Sequence, residues 1–286
     1  MNARTQVAAP SPVGTAPEAP PVRRLHDAGE WMLEKRWPVT VIFVGLIVLF
    51  WQVWGWLDRL PRYILPPTEI VAALFEYLGD GTLGPATVSS MQRLGMGFAI
   101  GTGLGVLFGL LAGVVRPVED ITDPIVSLTY PLPKIALFPA FAVWLGFSDW
   151  TRIIIIALAC FYPAFVNSLS GTRTIDKQLV WVARNLGSGR VRTFFQVVLP
   201  AAMPRVIVGV RISLALSFVL LFSTEAIASR EGLGHWVFEG YLNVRYDLMY
   251  ASILLLAMLG FLADRIVRFI GDRLTRGHTI EAIGRG

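Results

Sequence analysis

The sequence predicts an all-α integral membrane protein with about six transmembrane helices and both termini in the cytoplasm. Three observations carry this. Of 286 residues, 54% are hydrophobic and only 16% charged, with a mean hydropathy of +0.59, a combination foreign to water-soluble domains. Several stretches reach the ~20 apolar residues that a helix needs to cross the hydrocarbon core. Lys and Arg also gather in alternate connections: Arg4, Arg23, Arg24, Lys35 and Arg36 precede the first stretch, Arg173, Lys177, Arg184, Arg190, Arg192 and Arg205 lie between the fourth and fifth, and Arg265, Arg268, Arg273, Arg276 and Arg285 close the chain. Cationic loops stay inside, and an even helix count returns the chain to the side where it began. The net charge of +5 therefore reflects topology and not nucleic-acid binding.

Taken in order, the first two dozen residues are rich in Ala and Pro and lack an apolar run, which predicts a disordered tail and no cleaved signal peptide. Trp31 to Trp37, with Glu34, Lys35 and Arg36, reads as an interfacial approach to a first span at Val39 to Leu57. The following YILPPTEIVAALFEYLGDG predicts a short amphipathic helix on the outer surface, capped by Thr68, with Ile70, Leu74 and Leu78 as its apolar face and Gly79 or Gly81 as its stop. The second span, Met91 to Val115, carries Gly97, Gly101, Gly105, Gly109 and Gly113 at intervals of four, the pattern of close helix packing. A phosphate-binding loop would need a strand before such glycines. Because four residues overshoot one turn by ~40°, the row is expected to wind around its helix and serve two neighbours.

Pro124 to Leu145 contains Pro131, Pro133 and Pro139, so the third span should be kinked or partly re-entrant. The fourth, Arg152 to Ser170, holds the single cysteine, Cys160, expected as a small core residue; no disulfide is available within the chain. The fifth and sixth spans are expected at Val206 to Ala228 and Leu248 to Ile270.

Between the fourth and fifth spans lies a basic, amphipathic segment, WVARNLGSGRVRTFFQVVLPAAMP, from Trp181 to Pro204. Asp176 can cap a helix that breaks at Gly187, where a residue without Cβ permits a sharp turn. A second helix fits Arg190 to Leu199, with Val191, Phe194, Phe195 and Val198 at helical spacing and Arg190 and Arg192 turned away. Pro200 and Pro204 then bracket the return to the membrane. The segment resembles the EAA loop of permease subunits of ATP-binding cassette importers, which reads Glu-Ala-Ala, three residues, Gly, nine residues, Ile, one residue, Leu-Pro. Ala183, Gly187, Val197, Leu199 and Pro200 fall in register, whereas Trp181 and Val182 replace the family's Glu and first Ala.

With LPPTEI, RLGMGFAIGTGLGVLFGLLAGV and DPIVSLTYPLPKIALFPAFAVWLGF in the expected order, the likeness runs from about Leu65 to Ile270 and is to importers of the nitrate, sulfonate and taurine type. It implies the type I importer permease fold, a homodimer in membrane lipid, two cytoplasmic ATPase subunits that hold ATP and Mg, a periplasmic or lipid-anchored solute-binding protein, and a small organic or inorganic anion as cargo. Coupling to the ATPase falls to Ala183, Arg184, Gly187, Val191, Phe194, Phe195, Leu199 and Pro200. The expected organisation is a tail and interfacial approach over 1–37, a transmembrane permease domain over 38–271 with its coupling loop at 172–204, and a cytoplasmic tail over 272–286.

No catalytic constellation accompanies this pattern. His26, His235 and His278 are far apart, and no G-x-x-x-x-G-K-S/T segment exists, so the chain is expected to be a transport subunit and not an enzyme, with ATP hydrolysed elsewhere. Polar residues inside spans remain as candidates, because a charge in hydrocarbon costs at least ~2.5 kcal/mol. Ser213, Ser217, Thr224 and Glu225, in the fifth span, either line a pathway or are structural, the hydroxyls satisfying backbone carbonyls or packing small against a neighbour and Glu225 tying down a loop. Glu225 precedes Gly232-Leu233-Gly234, which resembles a turn of the same family. The alternative is an ion-coupled secondary transporter working without an ATPase; such proteins commonly show internal repeats, and the two halves of this sequence show none.

Charge placement predicts a labelling pattern. In a Cys160→Ala background, an impermeant thiol reagent applied to intact spheroplasts should label Gly81→Cys and leave Ser188→Cys untouched.

Overall fold

The computed structural model describes residues 36–275, all of whose regular elements are helices. The expectations for the tails, with His26, His278 and the interfacial approach before Arg36, lie outside the described residues. The chain divides into two units, 1–53 and 54–286. In the first, α1 begins at Arg36 and runs on to Trp56, apolar on all sides from Val39 to Leu49 save Thr40 and Gly45, as a lipid-facing helix must be.

The second unit contains α2 (Pro67–Gly79), α3 (Leu83–Val114), α4 (Arg116–Thr129), α5 (Phe138–Leu145), α6 (Asp149–Arg173), α7 (Lys177–Asn185), α8 (Arg190–Thr193), α9 (Leu199–Ala228), α10 (Leu233–Leu242) and α11 (Tyr246–Thr275). Its axis is the contact between α3 and α6. The two run in the same direction, Gly97 facing Ile156 and Gly113 facing Thr172. A Cβ added at Gly97 would stand 2.7 Å from the Ile156 side chain and one at Gly109 2.5 Å from the Phe165 carbonyl oxygen. Gly101 and Gly105 press in the same way on the carbonyls of Ala157 and Phe161.

All five glycines of the row thus meet one helix, which corrects the expectation of two neighbours. The reason is that the carbonyls they meet, on Ile153, Ala157, Phe161 and Phe165, themselves recur every four residues, so α6 drifts around α3 at the pace of the glycine row. Glycine Cα–H groups laid on carbonyl oxygens add weak hydrogen bonds to the dispersion contact.

α9 packs antiparallel to both. Ser90 and Glu225 meet at one end, while Leu110 meets Ala202 and Val206 at the other. Pro163 removes a backbone bond inside α6, and beside this loosened turn Ser213 donates to the Cys160 carbonyl at 2.7 Å while the Cys160 thiol donates back to the Ser213 carbonyl at 3.3 Å. Cys160 is therefore the small core residue expected, and it bridges two helices as well. α11 lies antiparallel to α9, Gly260 opposite Phe218 and Gly271 opposite Ile207, with Arg211 paired to Asp264. Its first turns close a cluster with Leu74, Tyr77, Leu83, Ala86 and Leu233.

Between α3 and α6 the chain turns by 90° from Arg116–Thr129 into Lys134–Leu145. Pro131 and Pro133 fill the break, so the kink read from the prolines is present. Four helices are long and apolar enough to cross a membrane, or five if this bent pair counts as one span; the expected count of about six is not reached by length and composition among the described residues. α11 is not one of them and carries Asp264, Arg265, Arg268, Asp272 and Arg273 in its second half.

Two local expectations are corrected. Thr68 does not cap α2: Pro66 holds the cap position without a side-chain bond. The buried face of α2 is Ile70, Ala73, Leu74 and Tyr77, with Leu78 exposed, because a series starting at Ile70 reaches its second turn at position 77. The Tyr77 hydroxyl donates to Asp247 and accepts from Arg245; burial and the Asp247 carboxylate push its pKa up.

The glycine contact predicts that Gly105→Leu and Gly109→Leu abolish folded protein in a fluorescence size-exclusion assay of membrane extracts, since backbone carbonyls cannot step aside. Gly95→Leu, with nothing within 4 Å of its Cβ position, should yield protein at the wild-type level.

Candidate functional site

At the end of the bundle where α3 finishes, the chain leaves α6 and builds the segment in which coupling residues are expected. Asp176 caps α7, its carboxylate accepting from the Gln178 N–H at 2.8 Å. The helix ends in paired reverse bonds, Gly187 N–H to the Arg184 carbonyl at 2.9 Å and Ser188 N–H to the Ala183 carbonyl at 3.0 Å, a Schellman motif that needs a left-handed residue. Gly187 supplies it with φ 83°. The break expected there is present.

The return differs from expectation. α8, a π-helical turn over Phe194–Val198 and α9 follow without interruption, so that Arg190–Ile227 forms one helix of 38 residues. Pro200 and Pro204 lie within it. Pro200 lacks an N–H for Gln196, and its ring would strike that carbonyl in a regular α-helix; widening the preceding turn, with Leu199 N–H reaching Phe194, removes the clash without ending the helix.

The predicted coupling residues divide by environment. Val191 and Phe195 are exposed, Phe195 at 60%, together with Trp181, Val182 and Leu186, the last at 81%. Arg184 and Gly187 are exposed too, and Ala183 and Pro200 half-buried. Phe194 and Leu199 instead pack against the cluster of Leu110, Ala202 and Val206, and anchor the segment to α3 and α9. Leu186 went unnoticed in the sequence, although an apolar residue beside a turn glycine was its signal.

At the opposite end sits a buried ionic lock. Glu225, fully buried, accepts from Arg93 at 2.8 Å, from the Ser90 hydroxyl at 2.8 and 2.9 Å, and from the Gly234 N–H at 2.9 Å in the first turn of α10, where the helix dipole also favours a carboxylate. The Leu233 N–H donates to Ser90 at 2.9 Å. Gly232 closes the turn with φ 115°, and a Cβ there would fall on the Glu225 carboxylate. Arg93 extends the network to Asp149 at 2.7 Å and to the Glu231 carbonyl at 3.0 Å, and Arg152 reaches the same Asp149 oxygen at 3.1 Å.

Ser213, Ser217 and Thr224 are fully buried as well. The Ser213 hydroxyl donates to the Cys160 carbonyl and so ties α9 to α6, the Ser217 and Thr224 hydroxyls satisfy the carbonyls of Leu214 and Leu220 within α9 itself, and Glu225 holds the turn before α10. Ser90, Arg93, Asp149 and Arg152 escaped the sequence reading; an arginine ten residues into an otherwise uncharged helix, with one acid in the antiparallel span, was the available signal.

Residues 105–276 match the family described as the inner membrane component of binding-protein-dependent transport systems. The chain belongs to this family. The permease is 32% identical over 241 residues to the protein named aliphatic sulfonates transport permease SsuC in Bacillus subtilis (strain 168), covering 84% of this chain and 87% of that one. It is 28% identical over 258 residues to the taurine transport system permease protein TauC of Escherichia coli (strain K12), at 86% and 94% coverage. Its fold is shared, at 19% identity and a TM-score of 0.54, with a chain of the inward facing MetNI methionine ABC transporter, over 68% of this permease and 95% of that chain. It is therefore a multi-pass inner membrane component of an ABC importer, and the secondary-transporter alternative falls away.

The lock predicts a stability contrast. Glu225→Ala leaves the Arg93 guanidinium buried beside a void and should cost about 3–5 kcal/mol. Ser223→Ala, whose hydroxyl donates only within its own helix, should stay within about 0.5 kcal/mol, both read from denaturant unfolding in detergent.

Proposed function

We propose that this permease carries a small sulfonate, of the alkanesulfonate or taurine kind, driven by cytoplasmic ATPase subunits that hold ATP and Mg and supplied by a periplasmic or lipid-anchored solute-binding protein. The observation that carries the reading is the exposed segment of Trp181, Leu186, Val191 and Phe195, held at a fixed angle by Asp176 and Gly187 in register with the EAA pattern. Large apolar side chains on a short cationic hairpin are left bare when a partner covers them. Val191 and Phe195 are the anchors in the ATPase groove, and Arg184, with Ala183 beneath it, meets the groove's rim. Phe194, Leu199 and Pro200 pass the motion into α9.

The remaining architecture is assigned on the same reading. The permease domain spans 38–271, crosses the membrane six times and works as a homodimer with both termini in the cytoplasm. Support for the count comes from direction: α3 and α6 are parallel, so the bent pair between them returns across the membrane, and α11 runs opposite to α9. The cationic α7–α8 connection then lies inside, as the positive-inside rule asks. ATP-driven closure of the ATPase pair tilts the α8–α9 rod and opens the opposite end of the bundle.

Two substitutions test the coupling. Gly187→Val forces a β-branched residue into a left-handed turn and should leave membrane level normal while abolishing uptake and the stimulation of ATPase activity by the loaded binding protein. Phe195→Ala should weaken ATPase association by about 2 kcal/mol, roughly thirtyfold in Kd, as measured by titrating the ATPase onto permease in nanodiscs.

A further inference from the structure

We propose that the cleft beside the ionic lock is a sulfonate site, in which the solute's oxyanion takes the place of the Asp149 carboxylate. The proposal rests on the importer reading and names the residues that would receive the cargo at the end of the bundle away from the coupling segment. The cleft has a volume of about 740 Å³ and is lined by Arg93, Asp149, Arg152, Ser229, Arg230 and Glu231. Three guanidinium groups thus face two carboxylates.

The arrangement of those charges is unequal in a telling way. Arg93 and Arg152 are only 5% and 4% exposed, Arg93 ten residues into α3 and Arg152 in the first turn of α6. Both direct a donor at a single oxygen of Asp149, Arg93 Nε at 2.7 Å and Arg152 Nη1 at 3.1 Å. Asp149, in contrast, is the first residue of α6, and its side chain is 57% exposed. The cations are buried, and the anion stands at the solvent edge with room to turn outward once its two bonds exchange. Once it does, the cleft holds an excess of positive charge, with two buried guanidinium groups aimed at the vacated position.

A sulfonate fits that position better than a carboxylate does. It spreads one charge over three equivalent oxygens, enough to accept from Arg93, Arg152 and the rim residue Arg230 together, where a carboxylate offers two. Guanidinium forks hold oxyanions through directed N–H···O bonds and not as point charges. Exposed Phe147 and Ile227 complete the wall and give a short alkyl chain an apolar surface. Glu225 is fully buried behind Arg93 and stays bonded to it, so exchange at Asp149 frees the start of α6 from Arg93 without dismantling the lock.

The test uses full-length permease in nanodiscs and radiolabelled ethanesulfonate. Wild type should bind saturably, and Asp149→Asn, which removes the competing charge with little change of shape, should bind about tenfold more tightly. Arg152→Gln should lose binding, and propionate should compete at least about tenfold less well than ethanesulfonate. Unchanged or weaker affinity in Asp149→Asn, or equal competition by propionate, would overturn the proposal; a gain in affinity cannot arise from misfolding. ATPase capture is measured on the same nanodiscs: wild type that captures the ATPase but ignores ethanesulfonate sinks the cleft alone, whereas failure to capture it sinks the importer reading.

Discussion

The contact between α3 and α6 is the constraint on which the other helices depend. Of five glycines spaced by four, Gly97, Gly101, Gly105 and Gly109 lay one backbone on the carbonyls of another, and Gly113 closes the row on the Thr172 side chain. In lipid, where apolar surface gains nothing from leaving water, such close approach is a main source of helix affinity. It also makes the pair stiff. α9 packs antiparallel along both, and α11 and α2 close the remaining side through the cluster around Leu83 and Leu248.

Against that stiff pair, α9 is one continuous helix, and on the proposed coupling it moves as a rod. It runs from the exposed coupling hairpin to Glu225 without a break, because the π-helical turn at Phe194–Val198 absorbs Pro200 where a regular helix would have ended. Its two ends are held by different physics. Phe194 and Leu199 seat one end by apolar contact, which slides at little cost. The Glu225–Arg93–Ser90 network holds the other by charge in a dry environment, which is costly to pull apart. On the importer reading, tilt imposed at the hairpin is taken up at the apolar end and concentrated at Asp149, the one wet member of the ionic network.

Much of this was legible in the sequence. The glycine row, the proline break after α4, the Asp176 cap and the Gly187 turn are local rules, each decided by residues within a turn or two of one another. What escaped depended on pairing between distant segments. That all five glycines face one helix required the matching four-residue carbonyl spacing of α6, which no side-chain pattern displays. Continuity of α9 through Pro200 required a π turn, for which FFQVV carries no separate mark. Helical spacing already puts Tyr77 and not Leu78 on the buried face, but the partner of its hydroxyl, Asp247, lies far along the chain. Arg93 and Glu225 each stood in view as a charge in an apolar run; that they neutralise one another follows only from the antiparallel packing of α3 and α9.

The claim at the centre of this account is that the exposed hairpin is the surface on which an ATPase docks. A photo-crosslinking amino acid at Leu186, the most exposed apolar position of that hairpin, tests it directly in membranes holding the complete transporter. Illumination should join the permease to the ATPase subunit and leave the solute-binding protein free. An adduct with the binding protein, or none with the ATPase, would contradict the account.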